Sequence, residues 1–206
     1  MATTQSPDDS VLTDAVLDLV LYVPESKEAT LAQPADRAHA ISRAAARNAS
    51  LISGSLSLPP GFLGWLTVVP ELVSIWKLQA QMVSDIATVY GKRQTLGREQ
   101  MIYCLFKHVS AQLFRDVVVR VGERVLVRRT SLIFLQNLAK SVGVQVSKTV
   151  LSKGAARFVP LLGAVTVGAY AYFDTLQVAK TAVDLFERDI VIDADTALSE
   201  GRTTHN

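Results

Sequence analysis

Between Val11 and Val20, apolar residues recur at spacings of three and four: Val11, Leu12, Ala15, Val16, Leu19 and Val20 fall on one side, Asp14 and Asp18 on the other. With 3.6 residues per turn, that spacing predicts a short amphipathic helix, which Pro24 stops. Residues 25–33 read as a linker. Pro34 then opens "PADRAHAISRAAARNASLIS", rich in the best helix former. Its stripe of small side chains, Ala38, Ala45 and Ala49, would let a second helix approach closely. The punctuation of "GSLSLPPGFLGW" ends the pattern. Pro70 is next predicted in the first turn of a helix with Leu72, Ile75, Trp76, Gln79, Val83, Ile86 and Tyr90 on one face. Gly91 suits that helix's C-terminal cap.

A further helix is predicted from near Thr95, carrying Met101, Ile102, Leu105, Phe106, Val109 and Leu113. "RDVVVRVGERVLVRR" is ambiguous. Its valine-rich halves around Gly122-Glu123 suit a small hairpin or helices interrupted at Gly122, and the helical neighbourhood favours the second. Ser131 to Leu151 reads as helix, against Gly143 and the alternation of Val142, Val144 and Val146. The last long helix is predicted from Pro160 to about Arg188. The expected fold is all-α: a compact multi-helix bundle with two central apolar Gly/Pro-punctuated helices, with room for a small irregular or hairpin element near 117–128. A single domain over 10–190 is expected, between disordered tails at 1–9 and 191–206.

"FVPLLGAVTVGAYAYF", residues 158–173, holds no charged side chain. Sixteen helical residues reach about 24 Å, short of the ~30 Å hydrocarbon core of a bilayer. Pro160 shortens the helix, and Asp174 and Lys180 follow it, so a solitary span is disfavoured. The run from Leu56 to Leu78 is longer but is broken by Pro59, Pro60, Pro70 and Glu71. Both runs suit re-entrant or interfacial hairpins, or buried helices that are apolar all round because they are surrounded. Phe62, Trp65 and Phe158 are the candidate contacts with a membrane or a partner.

Charge sharpens this picture. The chain carries a net +2 overall, but residues 1–90 carry −4, residues 91–157 carry +10 and residues 158–206 carry −4. The basic middle either pairs with the acidic ends or faces an anionic surface. Arg128, Arg129, Lys148, Lys153 and Arg157 are the candidate anionic-surface contacts, three of them leading into the 158–173 run. Nucleic acid is disfavoured, because the basic residues lack aromatic interleaving and a reading motif. Asp8, Asp9, Asp14 and Asp18 exclude a secretory signal, which points to a cytoplasmic protein at the inner face of the membrane.

Catalytic chemistry is sparse. The histidines are His39, His108 and His205, and no Cys/His spacing suits a structural zinc site. Gly163 and Gly168 have the separation of a phosphate loop's glycines, but Ala169-Tyr170 follows instead of the Lys-Ser/Thr pair. Cys104 and His108 share a helical face and could form an activated nucleophile or half of a metal site. A free cysteine is more commonly a buried apolar group. The reading is therefore a non-enzyme with no cofactor, no metal and no catalytic residue.

Two segments carry a resemblance. "SGSLSLPPGFLGWLTVVPELVSIWKLQAQMVSDIATVYG" (53–91) and "SKTVLSKGAARFVPLLGAVTVGAYAYFDTLQVAKTAVDLF" (147–186) resemble the two signature regions of the EcsC family of bacterial proteins. Together they cover 79 of 206 residues. Val69 departs from the acidic residue expected before the helix-opening proline, and Gly168-Ala169-Tyr170 is bulkier than the family's small-residue cluster. The resemblance implies a compact α-helical protein associated with membranes or membrane transport systems, without established catalytic residues. The leading expectation is a non-enzymatic bacterial protein that binds anionic lipid or a membrane protein. The alternatives are a soluble interaction module, such as an accessory or immunity partner with its apolar helices fully buried, and a membrane-inserting effector.

Overall fold

The computed structural model describes residues 23–56, 64–109, 111, 114, 118–121, 124–128, 134, 137–138, 141 and 160–193. Helix α1 spans Ala35–Leu56, α2 Gly64–Val89, α3 Arg98–Phe106 and α4 Pro160–Phe186. A single 3-10 turn, Arg93–Thr95, joins α2 to α3. Strands β1 (Val118–Val121), β2 (Arg124–Arg128) and β3 (Asp189–Asp193) complete the described elements. The fold is a helical bundle with one small sheet at its side.

The alanine stripe makes the main interface. Ala38, Ala45, Ala46 and Ala49 of α1 are buried, as are Ala171, Ala179 and Ala182 of α4. Small side chains let the two backbones come close. At Gly168 an ideal Cβ would lie 3.1 Å from both the carbonyl oxygen and Oγ of Ser50, so this glycine is a packing requirement. Helix α2 packs against both, and its buried residues Ile75, Trp76, Gln79, Val83 and Ile86 lie on the face predicted from their spacing. Gly91 ends α2 at φ +70°, with Gly91 N–H donating to Thr88 O (2.9 Å) and Lys92 N–H to Ala87 O (2.7 Å), a Schellman pair.

Helix α3 is short and enclosed: every residue from Gln100 to Phe106 is buried. Its N-terminus is closed by Gln100, whose Oε1 accepts from Gly97 N–H at 2.9 Å. Phe106 meets Trp76 edge-on at 5.5 Å, and Tyr103 meets Phe114, which meets Phe134. These aromatic contacts, the aliphatic residues Met82, Val178 and Leu185, and Phe186 form one contiguous core.

The residues read as a linker lie along α2. Ser84 Oγ donates to Pro24 O (2.6 Å), Gln81 Nε2 to Glu25 O (2.9 Å) and Leu31 N–H to Val89 O (3.0 Å). An extended segment has unpaired backbone groups, and here α2 satisfies some of them.

Four expectations change. Pro70 is the seventh residue of α2, not a first-turn residue, because the helix begins at Gly64. A proline inside a helix both lacks the N–H that would bond the carbonyl four residues back, here Leu66 O, and crowds that carbonyl. The helix from near Thr95 begins at Arg98 and ends at Phe106, before Val109; Leu113 lies outside the described residues. The ambiguous valine-rich stretch is a hairpin, not an interrupted helix: β1 and β2 pair antiparallel from Val118↔Val127 to Val121↔Arg124. β-branched valines suit the pleated backbone, and Gly122-Glu123 offers a two-residue connection with glycine first. β3 then pairs parallel to β2, so residues 191–193 are strand and not tail. That register sets Arg124 beside Asp189 and Arg128 beside Asp193. The predicted helix over 11–20 and the expected tails at 1–9 and 194–206 lie outside the described residues, as does most of 131–151; Phe134, Asn137, Leu138 and Ser141 are helical.

Candidate functional site

Two features of α4 stand apart from ordinary core packing. The first is an exposed apolar face on its N-terminal half. Val165 is 68% exposed, Phe173 66% and Tyr170 49%, with Ala169 exposed between them. Positions 165, 169 and 173 are successive fours, so they lie in one row, with 170 beside it. Thr166 is exposed on the same side, and further along the helix the outward positions become Gln177 and Lys180. Leu51 of α1, next to the Ser50 that meets Gly168, is 71% exposed. Single exposed apolar residues are ordinary, whereas a row of them on one helix is informative.

The second feature is a polar cluster inside the bundle. Asp174 Oδ1 accepts from His108 Nε2 at 2.7 Å, and Asp174 Oδ2 accepts from Gln79 Nε2 at 2.8 Å. Gln79 Nε2 also reaches Thr175 Oγ1 at 3.2 Å. The cluster joins α2, the turn after α3 and α4. The side chains of His108 and Asp174 are only 18% and 17% exposed. Among the described residues, His108 Nδ1 is buried without a hydrogen-bond partner. Asp174 also acts on Tyr170, one turn earlier: burial raises the phenol's pKa, and the nearby carboxylate adds to the rise.

Of the pair picked out by spacing, His108 is bonded to Asp174 rather than to Cys104. Cys104 is fully buried, and that burial pushes its thiol pKa well up. A nucleophilic thiol needs the opposite shift. Lys107 lies over the Tyr103 ring at 5.1 Å, so the neighbouring cation is engaged there. No group of acidic, histidine or cysteine side chains among the described residues could hold a metal ion. The described groove between α1 and α2, about 250 Å³, has an apolar floor including Ile41, Leu78 and Met82. The Arg37–Glu28 pair on its wall closes at 2.6 Å.

Trp65 is the second residue of α2, and Arg128 ends β2 opposite Asp193. Phe62, Phe158, Arg129, Lys148, Lys153 and Arg157 lie outside the described residues. The spacing analysis did not single out Val165, Tyr170, Phe173 or Leu51. A helix apolar on every side gives no sign of which side its neighbours leave open. Gln79 did carry a signal, as a polar residue on an otherwise apolar helix face, and Asp174 as the charge that closes the apolar run, but 95 positions separate them and only the fold joins them. No helix among the described residues is long and apolar enough to cross a membrane. Comparisons with protein-family models, with curated proteins and with solved structures give no match.

Proposed function

We propose that the protein is a non-enzymatic helical protein that binds an anionic membrane surface peripherally, through the apolar face of α4 and the basic stretch of the chain. The observation that carries this reading is the exposed row of Val165, Ala169 and Phe173, flanked by Tyr170. Burying a large apolar side chain is worth roughly 1.5–3 kcal/mol, so a few partly exposed ones give weak adhesion alone. Each Lys or Arg near an anionic surface adds about 1 kcal/mol. Lys148, Lys153 and Arg157 precede α4 in the chain, so a modest apolar contact and a modest charge attraction would act together. The resemblance of residues 53–91 and 147–186 to the EcsC family agrees with a bacterial, membrane-associated role, and the acidic N-terminus with a place at the inner, cytoplasmic face.

Flotation with vesicles tests the proposal. Binding to vesicles containing phosphatidylglycerol that weakens as salt is raised, with little binding to neutral phosphatidylcholine vesicles, is the expected result. Equal absence from both vesicle types would overturn it, and salt-resistant binding to both would replace a peripheral mode with insertion.

A further inference from the structure

We propose that Arg43 and Arg47 of α1 hold the phosphate of an anionic lipid headgroup beside the apolar row of α4. The proposal rests on the membrane reading above and adds two cations that charge counted by segment hides, since residues 1–90 carry a net −4. Both arginines are exposed, and among the described residues neither makes an ion pair or a side-chain hydrogen bond. Arg37, by contrast, is tied to Glu28 on the groove side of the helix. Arg43 stands seven residues before Ser50 and Arg47 three, so both follow the edge of α1 on which Ser50 meets Gly168. Helix α1 runs antiparallel to α4. Its Ala49 clusters with Ile75 and Ala171, whereas Leu31, just before α1, bonds Val89 at the end of α2, where Tyr90 bonds Glu187 after α4. Going back along α1 from Ser50 is therefore going forward along α4 from Gly168. Arg47 and Arg43 thus lie alongside the turns of α4 that hold Phe173.

The two helices make one joint face. No exposed position of α1 from His39 to Leu51, and none of α4 from Val165 to Lys180, is acidic. Asp174 falls within that span, but its carboxylate is turned to His108 and Gln79. The exposed acids come at the other end of the bundle, Asp36 in the first turn of α1 and Glu187 just after α4. The face is apolar at Leu51, Val165 and Phe173 and cationic at Arg43, Arg47 and Lys180. A bilayer surface containing anionic phospholipid complements both parts. The boundary of the acyl chains takes the apolar side chains, and the headgroup phosphates take the guanidinium groups. A guanidinium offers paired donors in a planar fork that matches phosphate oxygens, so an arginine without an acidic partner suits that contact.

The test is flotation of the full chain with phosphatidylglycerol vesicles at about 0.1 M salt, comparing the wild type with Arg43→Gln/Arg47→Gln and with Lys27→Gln/Lys77→Gln. Each variant removes two exposed positive charges. Lys77 shares a row of α2 with Gln81, Ser84 and Thr88, along which residues 24–30 lie. It is two residues from Gln79, which reaches α4, and so points nearly the opposite way. Unfolding midpoints of both variants should match the wild type, since glutamine suits an exposed helix position about as well as arginine. The arginine variant should bind about 25-fold more weakly, about fivefold for each cation lost from the surface. The lysine variant should weaken by less than about threefold, because charges held away from the bilayer are screened over about 10 Å. Equal losses in the two variants would make net charge alone responsible and overturn the arginine assignment. An arginine variant that binds as the wild type does would overturn it too. In both outcomes the wild type still binds, so the membrane reading stands, whereas absence of the wild type from the vesicles removes both.

Discussion

Gly168 carries a simple steric consequence. Its missing Cβ leaves room for the Ser50 carbonyl, 3.1 Å from where that atom would be, and backbone cannot swing aside as a flexible side chain can. Gly168→Val should therefore destabilise the protein by about 1–3 kcal/mol in urea unfolding, while Ala169→Val, on the exposed side of the same turn, should shift it by less than ~0.5 kcal/mol. Tyr90 gives a second prediction at this scale. Its hydroxyl donates to Glu187 Oε1 at 3.1 Å, and burial, helped by that carboxylate, raises its pKa to about 12. The folded state thus holds the phenol proton more tightly than the unfolded chain, whose phenol has the ordinary value of 10.0. The associated stability is complete below about pH 10 and declines as pH rises toward about 12. A spectrophotometric titration at the tyrosinate band should show a phenol titrating near 12 that is lost in Tyr90→Phe.

At the scale of elements, Gly91 fixes how α2 ends. A side chain at φ +70° is strained, and an added Cβ would also meet Thr30 Cγ2 at 3.1 Å. Gly91→Val should cost roughly 1–2 kcal/mol by thermal or chemical unfolding and should loosen the segment before α1, seen as faster proteolysis near Thr30. This cap was legible in the sequence, as were the alanine stripe of α1 and the start of α4 at Pro160, because each rests on a local rule of propensity or spacing. Pro70 was less legible. Local chemistry makes proline a helix opener, but here Pro70 lies inside a longer helix, lost bond and crowded carbonyl included. The valine-rich hairpin failed for the opposite reason. Its own residues argued for strand, and the helical neighbours outweighed them, although β3 supplies the third strand from more than sixty residues away. The site lies at the far end of this scale: the N-terminal half of α4 is apolar on every side, so which side stays open depends on where α1 and α2 pack.

Across the whole molecule, charge and apolar surface have to be weighed together. The sheet register sets Arg124 and Arg128 of the basic stretch beside Asp189 and Asp193 of the acidic end. Much of the remaining basic charge precedes α4 in the chain. Helix α4 is then two-sided, with small residues inward against α1 and a row of larger apolar ones outward. Changing the outer row should leave stability within about ±0.5 kcal/mol, because those side chains contribute little to the core. This separates a surface role from a folding role. The most direct measurement is flotation of Val165→Glu/Phe173→Glu with phosphatidylglycerol vesicles, beside the wild type and with unfolding curves for both. Loss of most vesicle binding at unchanged stability is the predicted result. Undiminished binding by the folded variant would contradict the assignment of the α4 face.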